Sequence, residues 1–145
     1  MSHPNFAQIV PDGYRALSSV EAYIRGCGLE KSLVALVKMR ASQINGCAFC
    51  LNMHSVDARK GGETEQRLYL LNAWQEAPFY SDRERGALAL TEHLTRLPIE
   101  GAPPEAVDRL FSPAEIANLK LLIGMINLWN RISIAGGFHL TKEAA

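Results

Sequence analysis

Between its glycine and proline breakers the chain repeats apolar residues at helical spacing, and it nowhere alternates them as a half-buried strand does. That periodicity predicts an all-α fold of six or seven helices. The first dozen residues and the last few are expected to be loosely held. After Pro11-Asp12-Gly13, the residues Tyr14, Leu17, Val20, Ala22 and Ile24 mark a first helix, stopped at Gly26-Cys27-Gly28. Glu30 to about Ile44 forms a second, with Leu33, Leu36, Val37 and Ile44 on one face, broken at Asn45-Gly46. A third runs from about Cys47 to Lys60, before Gly61-Gly62. Glu63 to about Trp74 is the fourth. Ser81-Asp82-Arg83-Glu84 is a capping box opening a helix that carries Leu88, Leu90, Leu94 and Leu97 and ends at Pro98. A short helix, Glu105 to Leu110, precedes a second box, Ser112-Pro113-Ala114-Glu115, whose proline takes the favoured first helical position. The helix it opens should reach Ala135.

A chain of 145 residues suits one domain spanning 1–145, able to bury roughly two thirds of its unfolded surface, so it needs no disulfide scaffold or structural metal. Fifteen basic and fifteen acidic side chains give no net charge, which argues against nucleic acid or an anionic membrane as partner. The most apolar window, Leu119 to Ile134, is interrupted by Lys120, Asn127, Asn130 and Arg131, and reads as a buried helix rather than a membrane span. Met1-Ser2-His3-Pro4-Asn5 lacks the basic-then-apolar signature of a secretory signal. Three cysteines are too few for a secreted disulfide framework. A cytoplasmic protein is expected. Several helices and the apolar last one offer more apolar stripe than one thin layer can bury, which favours a homo-oligomer.

The segment richest in chemistry is Ala41-Ser42-Gln43-Ile44-Asn45-Gly46-Cys47-Ala48-Phe49-Cys50-Leu51-Asn52-Met53-His54, a C-x-x-C-x-x-x-H spacing at a predicted helix start. At about 3.6 residues per turn, positions 47, 50 and 54 fall within roughly 60° on one face. Free amides and positive potential at a helix N-terminus favour thiolate over thiol, and a nearby imidazole can accept the thiol proton. Such surroundings take a thiol from ~8.5 towards ~3.5–7.5. A thiolate of this kind attacks a hydroperoxide, giving a sulfenic acid that a second thiol converts to a disulfide, or it attacks a disulfide by exchange.

Leu36-Val37-Lys38-Met39-Arg40 leading into this segment, then His54, Asp57-Ala58-Arg59 and Glu63-Thr64-Glu65-Gln66-Arg67-Leu68, resemble the AhpD-like alkylhydroperoxidases of the carboxymuconolactone decarboxylase superfamily. The likeness is strong over about 30–97. It implies an all-helical fold, assembly into trimers or hexamers, and peroxide reduction by a cysteine pair that an external thiol or dithiol restores, with no bound cofactor. By the same resemblance Cys50 attacks the peroxide, Cys47 resolves it, and His54 belongs to a proton relay. Two positions depart from the pattern. Ala35 stands where the family often has a relay glutamate, and Phe49 where its founding members have a histidine between the cysteines. Asp57, one turn beyond His54, is a candidate to orient the imidazole. Helix-start physics by itself favours Cys47 as the nucleophile; the contact with His54 and the resemblance favour Cys50, which is the assignment taken.

Plainer roles compete with these. The two cysteines can simply fill a core. They can also bind zinc with His54 and one of Cys27, His93 or His139, although no second close ligand pair exists; no metal is expected. Cys27, His3 and His139 are expected to have no chemical role and His93 a structural one. Trp74, Trp129 and Met125 read as core or subunit-interface residues, and Asp82-Arg83-Glu84-Arg85 as a solvated helix face. Two other functions remain open: the superfamily's decarboxylase or isomerase chemistry on a small lactone or carboxylate, and a non-enzymatic redox-sensing oligomer.

Overall fold

The computed structural model describes residues 5–98 and 100–142. Helices account for most of them and no strand occurs among them. They are α1 (Phe6–Ile9), α2 (Pro11–Gly26), α3 (Lys31–Asn45), α4 (Ala48–Lys60), α5 (Glu65–Tyr69), α6 (Asp82–Arg96), α7 (Ala106–Leu110) and α8 (Pro113–Ile132). The eighth helix beyond the seven read from sequence is α1. Asn5 caps it through its side chain, so the lead-in is ordered where a loose segment was expected. The expected fourth helix is split into α5 and a 3-10 turn, Leu71–Ala73. The last helix changes to a π turn over Ser133–Gly137, three residues before the predicted end. His3 lies outside the described residues.

Both capping boxes form, with each serine accepting from the glutamate amide three residues on and each glutamate accepting from the serine amide. α3 is the central element. Its Leu33 and Val37 join Ile24, Leu90, Leu122 and Ile123 in one core cluster, and its Leu36 and Met39 join Leu68, Leu71, Trp74 and Leu88 in another. Ala35 packs beside this second cluster. A helix apolar on two faces in this way must be covered from both sides, and α4, α6 and α8 all pack on it.

Between α3 and α8 runs a buried amide network. Asn45 Nδ2 donates to Asn127 Oδ1 at 3.0 Å and Asn130 Oδ1 at 2.9 Å; Asn130 Nδ2 donates to Ser42 Oγ at 3.0 Å. Ser42 Oγ in turn donates to the Lys38 carbonyl at 2.7 Å. Among the described residues no buried side-chain nitrogen or oxygen is left without a partner. The network fixes the C-terminus of α3 against the C-terminal part of α8.

The charged run at the start of α6 is not a solvated face. Arg83 bonds Glu30, Glu115 and the Leu110 carbonyl, Arg67 bonds Glu84, and Arg85 bonds the Gln75 and Ala77 carbonyls. Partners distant in sequence turn these three half-buried side chains into clamps. No helix among the described residues is long and apolar enough to cross a membrane.

Candidate functional site

The turn between α3 and α4 creates the site. α3 ends on Gly46, whose φ of 68° is the left-handed conformation that glycine adopts without cost. The Cys47 amide bonds back to the Ser42 carbonyl at 3.0 Å, so Cys47 becomes the N-cap of α4. Its Sγ accepts from the Cys50 amide at 3.3 Å. One turn of helix brings Cys50 alongside, and the two are joined as a disulfide with Cα atoms 5.4 Å apart. Each is only 1% exposed. Sequence reading thus placed both sulfurs correctly at a helix start. Ser133 Oγ lies 3.7 Å from Cys50 Sγ; its hydroxyl is the donor, because a disulfide sulfur carries no hydrogen. Ser133 was not singled out in the sequence, and its proximity depends on the turn that follows α8.

A cavity of about 400 Å³ opens beside Cys50, with His54 and Asp57 on its α4 side. α2 contributes Tyr14, Ser18, Glu21 and Arg25, and α3 contributes Lys38. The aromatic wall is continuous: Trp129 makes edge contacts with Tyr14 and Phe138, and Phe138 stacks on Phe49. Phe49, at the position where a histidine was missing, is therefore a wall of the site.

His54 is held at a pKa of about 4, first by burial and next by the Lys38 ammonium, against weaker pulls from Asp57 and Glu21. It stands neutral at pH 7. No hydrogen bond joins its ring to either sulfur or to Asp57 among the described residues. Asp57 is exposed and acts on the imidazole only as a charge, so the expected orienting contact is absent. Glu21 is the carboxylate that sequence reading missed. It pairs with Lys38 at 2.7 Å and accepts from Trp129 Nε1 at 3.0 Å. A signal existed in the stripe Tyr14, Ser18, Glu21, Arg25, which repeats at helical spacing beside the apolar one.

Of the remaining candidates, Cys27 is a free, half-buried thiol against the first core cluster, and His93 is half-buried on α6. Trp74 and Met125 are core residues, and Trp129 packs against the first core cluster while also lining the cavity. Among the described residues no three His, Cys, Asp or Glu side chains gather as a metal-binding group.

Residues 11–93 match the carboxymuconolactone decarboxylase family. The chain belongs to that family, and its helical architecture is AhpD-like. It is 44% identical over 136 residues to the uncharacterised protein YdfG of Bacillus subtilis, covering 92% of each chain. It is 28% identical to the uncharacterised protein YnjA of Escherichia coli, over 74% of this chain and 60% of that one. Among solved structures it is similar to ATU0492 from Agrobacterium tumefaciens, a protein of unknown function provisionally described as the antioxidant defence protein AhpD. That likeness has a TM-score of 0.88 at 37% identity, over 98% of this chain and all of the other. An uncharacterised peroxidase-related protein from Silicibacter shares the fold, with a TM-score of 0.75 at 23% identity, over 90% of this chain and 71% of the other.

Proposed function

We propose that this protein is a thiol-dependent peroxidase of the reducing cytoplasm, working as a homo-oligomer on hydrogen or alkyl hydroperoxides. The observation that carries the reading is the Cys47–Cys50 disulfide at a helix N-terminus, with Cys50 facing a cavity that also holds a neutral histidine. In the cycle, the Cys50 thiolate attacks the peroxide O–O bond; with one proton this yields Cys50 sulfenic acid and an alcohol (water, from hydrogen peroxide). The Cys47 thiol then displaces water to form the disulfide. Two equivalents of an external thiol, or one dithiol, return both sulfurs to thiols and leave as a disulfide.

Neutral His54 is in the protonation state that accepts the Cys50 proton, and Glu21 takes over the part that Ala35 leaves vacant. Its carboxylate favours the imidazolium that forms, while its pairing with Lys38 blunts the opposing ammonium. Stoichiometric hydroperoxide added to reduced protein should produce the Cys47–Cys50 disulfide by mass spectrometry, and Cys47→Ser should accumulate sulfenic acid on Cys50. If peroxide forms no disulfide, the reading is wrong; sulfenic acid confined to Cys47 in Cys50→Ser would reverse the two cysteine roles.

One observation favours a second reading. Glu21, Lys38, His54 and Asp57 in one cavity are acid–base groups of the kind that decarboxylase or isomerase chemistry on a small lactone requires. Turnover of such a substrate after alkylation of both cysteines would establish it.

A further inference from the structure

Cys50 is only 1% exposed, so a hydroperoxide reaches its sulfur through the cavity beside it. Met53 lines that cavity and is 41% exposed, so its thioether meets both the solvent and the route to Cys50. The other methionines among the described residues, Met39 and Met125, are 5% and 7% exposed and belong to the core. Along α4, Met53 comes one turn after Phe49 and three residues after Cys50, on the wall that carries both. The cavity stands open with the Cys47–Cys50 disulfide formed. A hydroperoxide that enters it then meets no thiolate, and Met53 is the sulfur lining the cavity that is still a ready nucleophile.

We propose that Met53 is a second oxidation site of this cavity: its thioether takes an oxygen atom from an alkyl hydroperoxide once the cysteines are locked as a disulfide, and the sulfoxide formed then slows the approach of further alkyl hydroperoxide to Cys50. This rests on the peroxidase reading for one step, the entry of hydroperoxide into the cavity.

The sulfur lone pair attacks the outer peroxide oxygen. An S–O bond forms, the O–O bond breaks, and the alkoxide leaves, taking up the hydroperoxide proton to become an alcohol. Sulfur loses two electrons and the peroxide gains them, so no thiol is consumed. A thioether is apolar and packs well on aromatic rings, and Tyr14, Phe49, Trp129 and Phe138 line the same cavity. A sulfoxide is polar and holds water, so an alkyl chain passing it loses apolar contact. Peroxide in excess of the reductant is thereby recorded on Met53 and brakes the alkyl reaction, and methionine sulfoxide reductases reverse the mark.

The test compares Met53 with a methionine of matched exposure away from the cavity. Leu121→Met supplies it on α8, where Leu121 is 39% exposed; Leu128→Met, at 37%, supplies a second should the first variant fold poorly. When the disulfide form of either variant is treated with tert-butyl hydroperoxide, peptide mass spectrometry should find sulfoxide forming about fivefold faster at Met53 than at the introduced methionine, because the cavity holds the oxidant beside one thioether only. Dithiothreitol then restores the cysteines and leaves the sulfoxide. Oxidation of Cys50 by tert-butyl hydroperoxide should now run about three- to tenfold slower than in untreated protein, and oxidation by hydrogen peroxide should change less than about twofold. Met53→Leu should show no difference between treated and untreated protein. The proposal falls if Met53 is oxidised no faster than the reference, if its sulfoxide leaves the alkyl reaction unchanged, or if hydrogen peroxide is slowed as much. Reduced protein whose cysteines hydroperoxide does not oxidise loses the peroxidase reading and the brake together; the comparison of methionines, made on the disulfide form, still decides for or against Met53 as the oxygen acceptor.

Discussion

His54 couples the site to pH. Burial and Lys38 hold it at a pKa of about 4, below its ordinary 6.5, so the unfolded chain binds a proton between those values that the folded chain refuses. Its contribution is intact above pH 6.5 and is lost as pH falls towards 4. Wild type should therefore lose at most roughly 2 kcal/mol relative to His54→Gln between pH 7.5 and 5, measured by urea unfolding at both pH values. Parallel pH dependence of the two proteins would mean that the imidazole is not desolvated. Glu21→Gln leaves Lys38 without its partner beside the imidazole, and should lower the His54 pKa further and slow peroxide oxidation of Cys50 by about ten- to a hundredfold. NMR titration of His54 and single-turnover oxidation read the two effects, with partial rescue expected from Glu21→Asp. An unchanged rate removes Glu21 from the relay.

At the scale of elements, the cysteine pair depends on how one helix stops and the next begins. Gly46 at φ 68° lets α3 end and α4 start within two residues. Gly46→Ala places a side chain in left-handed backbone and should cost roughly 1–2 kcal/mol, read from the urea midpoint, and shift the Cys47–Cys50 redox equilibrium against a glutathione buffer. The capping boxes give a cleaner contrast. Ser112→Ala should cost about 1 kcal/mol and leave the thiol chemistry untouched, because the cap sits at the far end of α8 from Ser133. The helix starts were legible in the sequence because a cap is a local pattern of four residues. The π turn after α8 was not: Gly136-Gly137 marked a stop, but the position of Ser133 against Cys50 depends on the network through Asn130, Ser42 and Asn45.

Across the molecule, Arg83 joins the start of α3, the end of α7 and the start of α8 through Glu30, the Leu110 carbonyl and Glu115, with its guanidinium over the Phe111 ring at 4.3 Å. Arg83→Met keeps the aliphatic stem and should cost about 1–2 kcal/mol, since charge-assisted bonds to three separate elements are lost together. Arg15→Met breaks the exposed Arg15–Asp12 pair, whose side chains are 74% and 89% exposed, and should leave the urea midpoint unchanged. Equal effects would deny Arg83 its clamping role. Nothing local distinguishes the two arginines. Each stands in a helix near acidic residues, and only the helices packed around Arg83 separate a clamp from a solvated pair.

The sequence by itself determined the helical class, both capping boxes and the placement of Cys47, Cys50 and His54 about one helix start, because each of these is written in residues within a turn or two of one another. Tertiary structure alone decided that Glu21 and Lys38 join His54 in one cavity, that Asp57 acts on the imidazole only as a charge, and that Ser133 meets Cys50. Those relations join residues many turns apart in the chain, and their geometry is set by how α2, α3, α4 and α8 pack, which short-range periodicity does not encode.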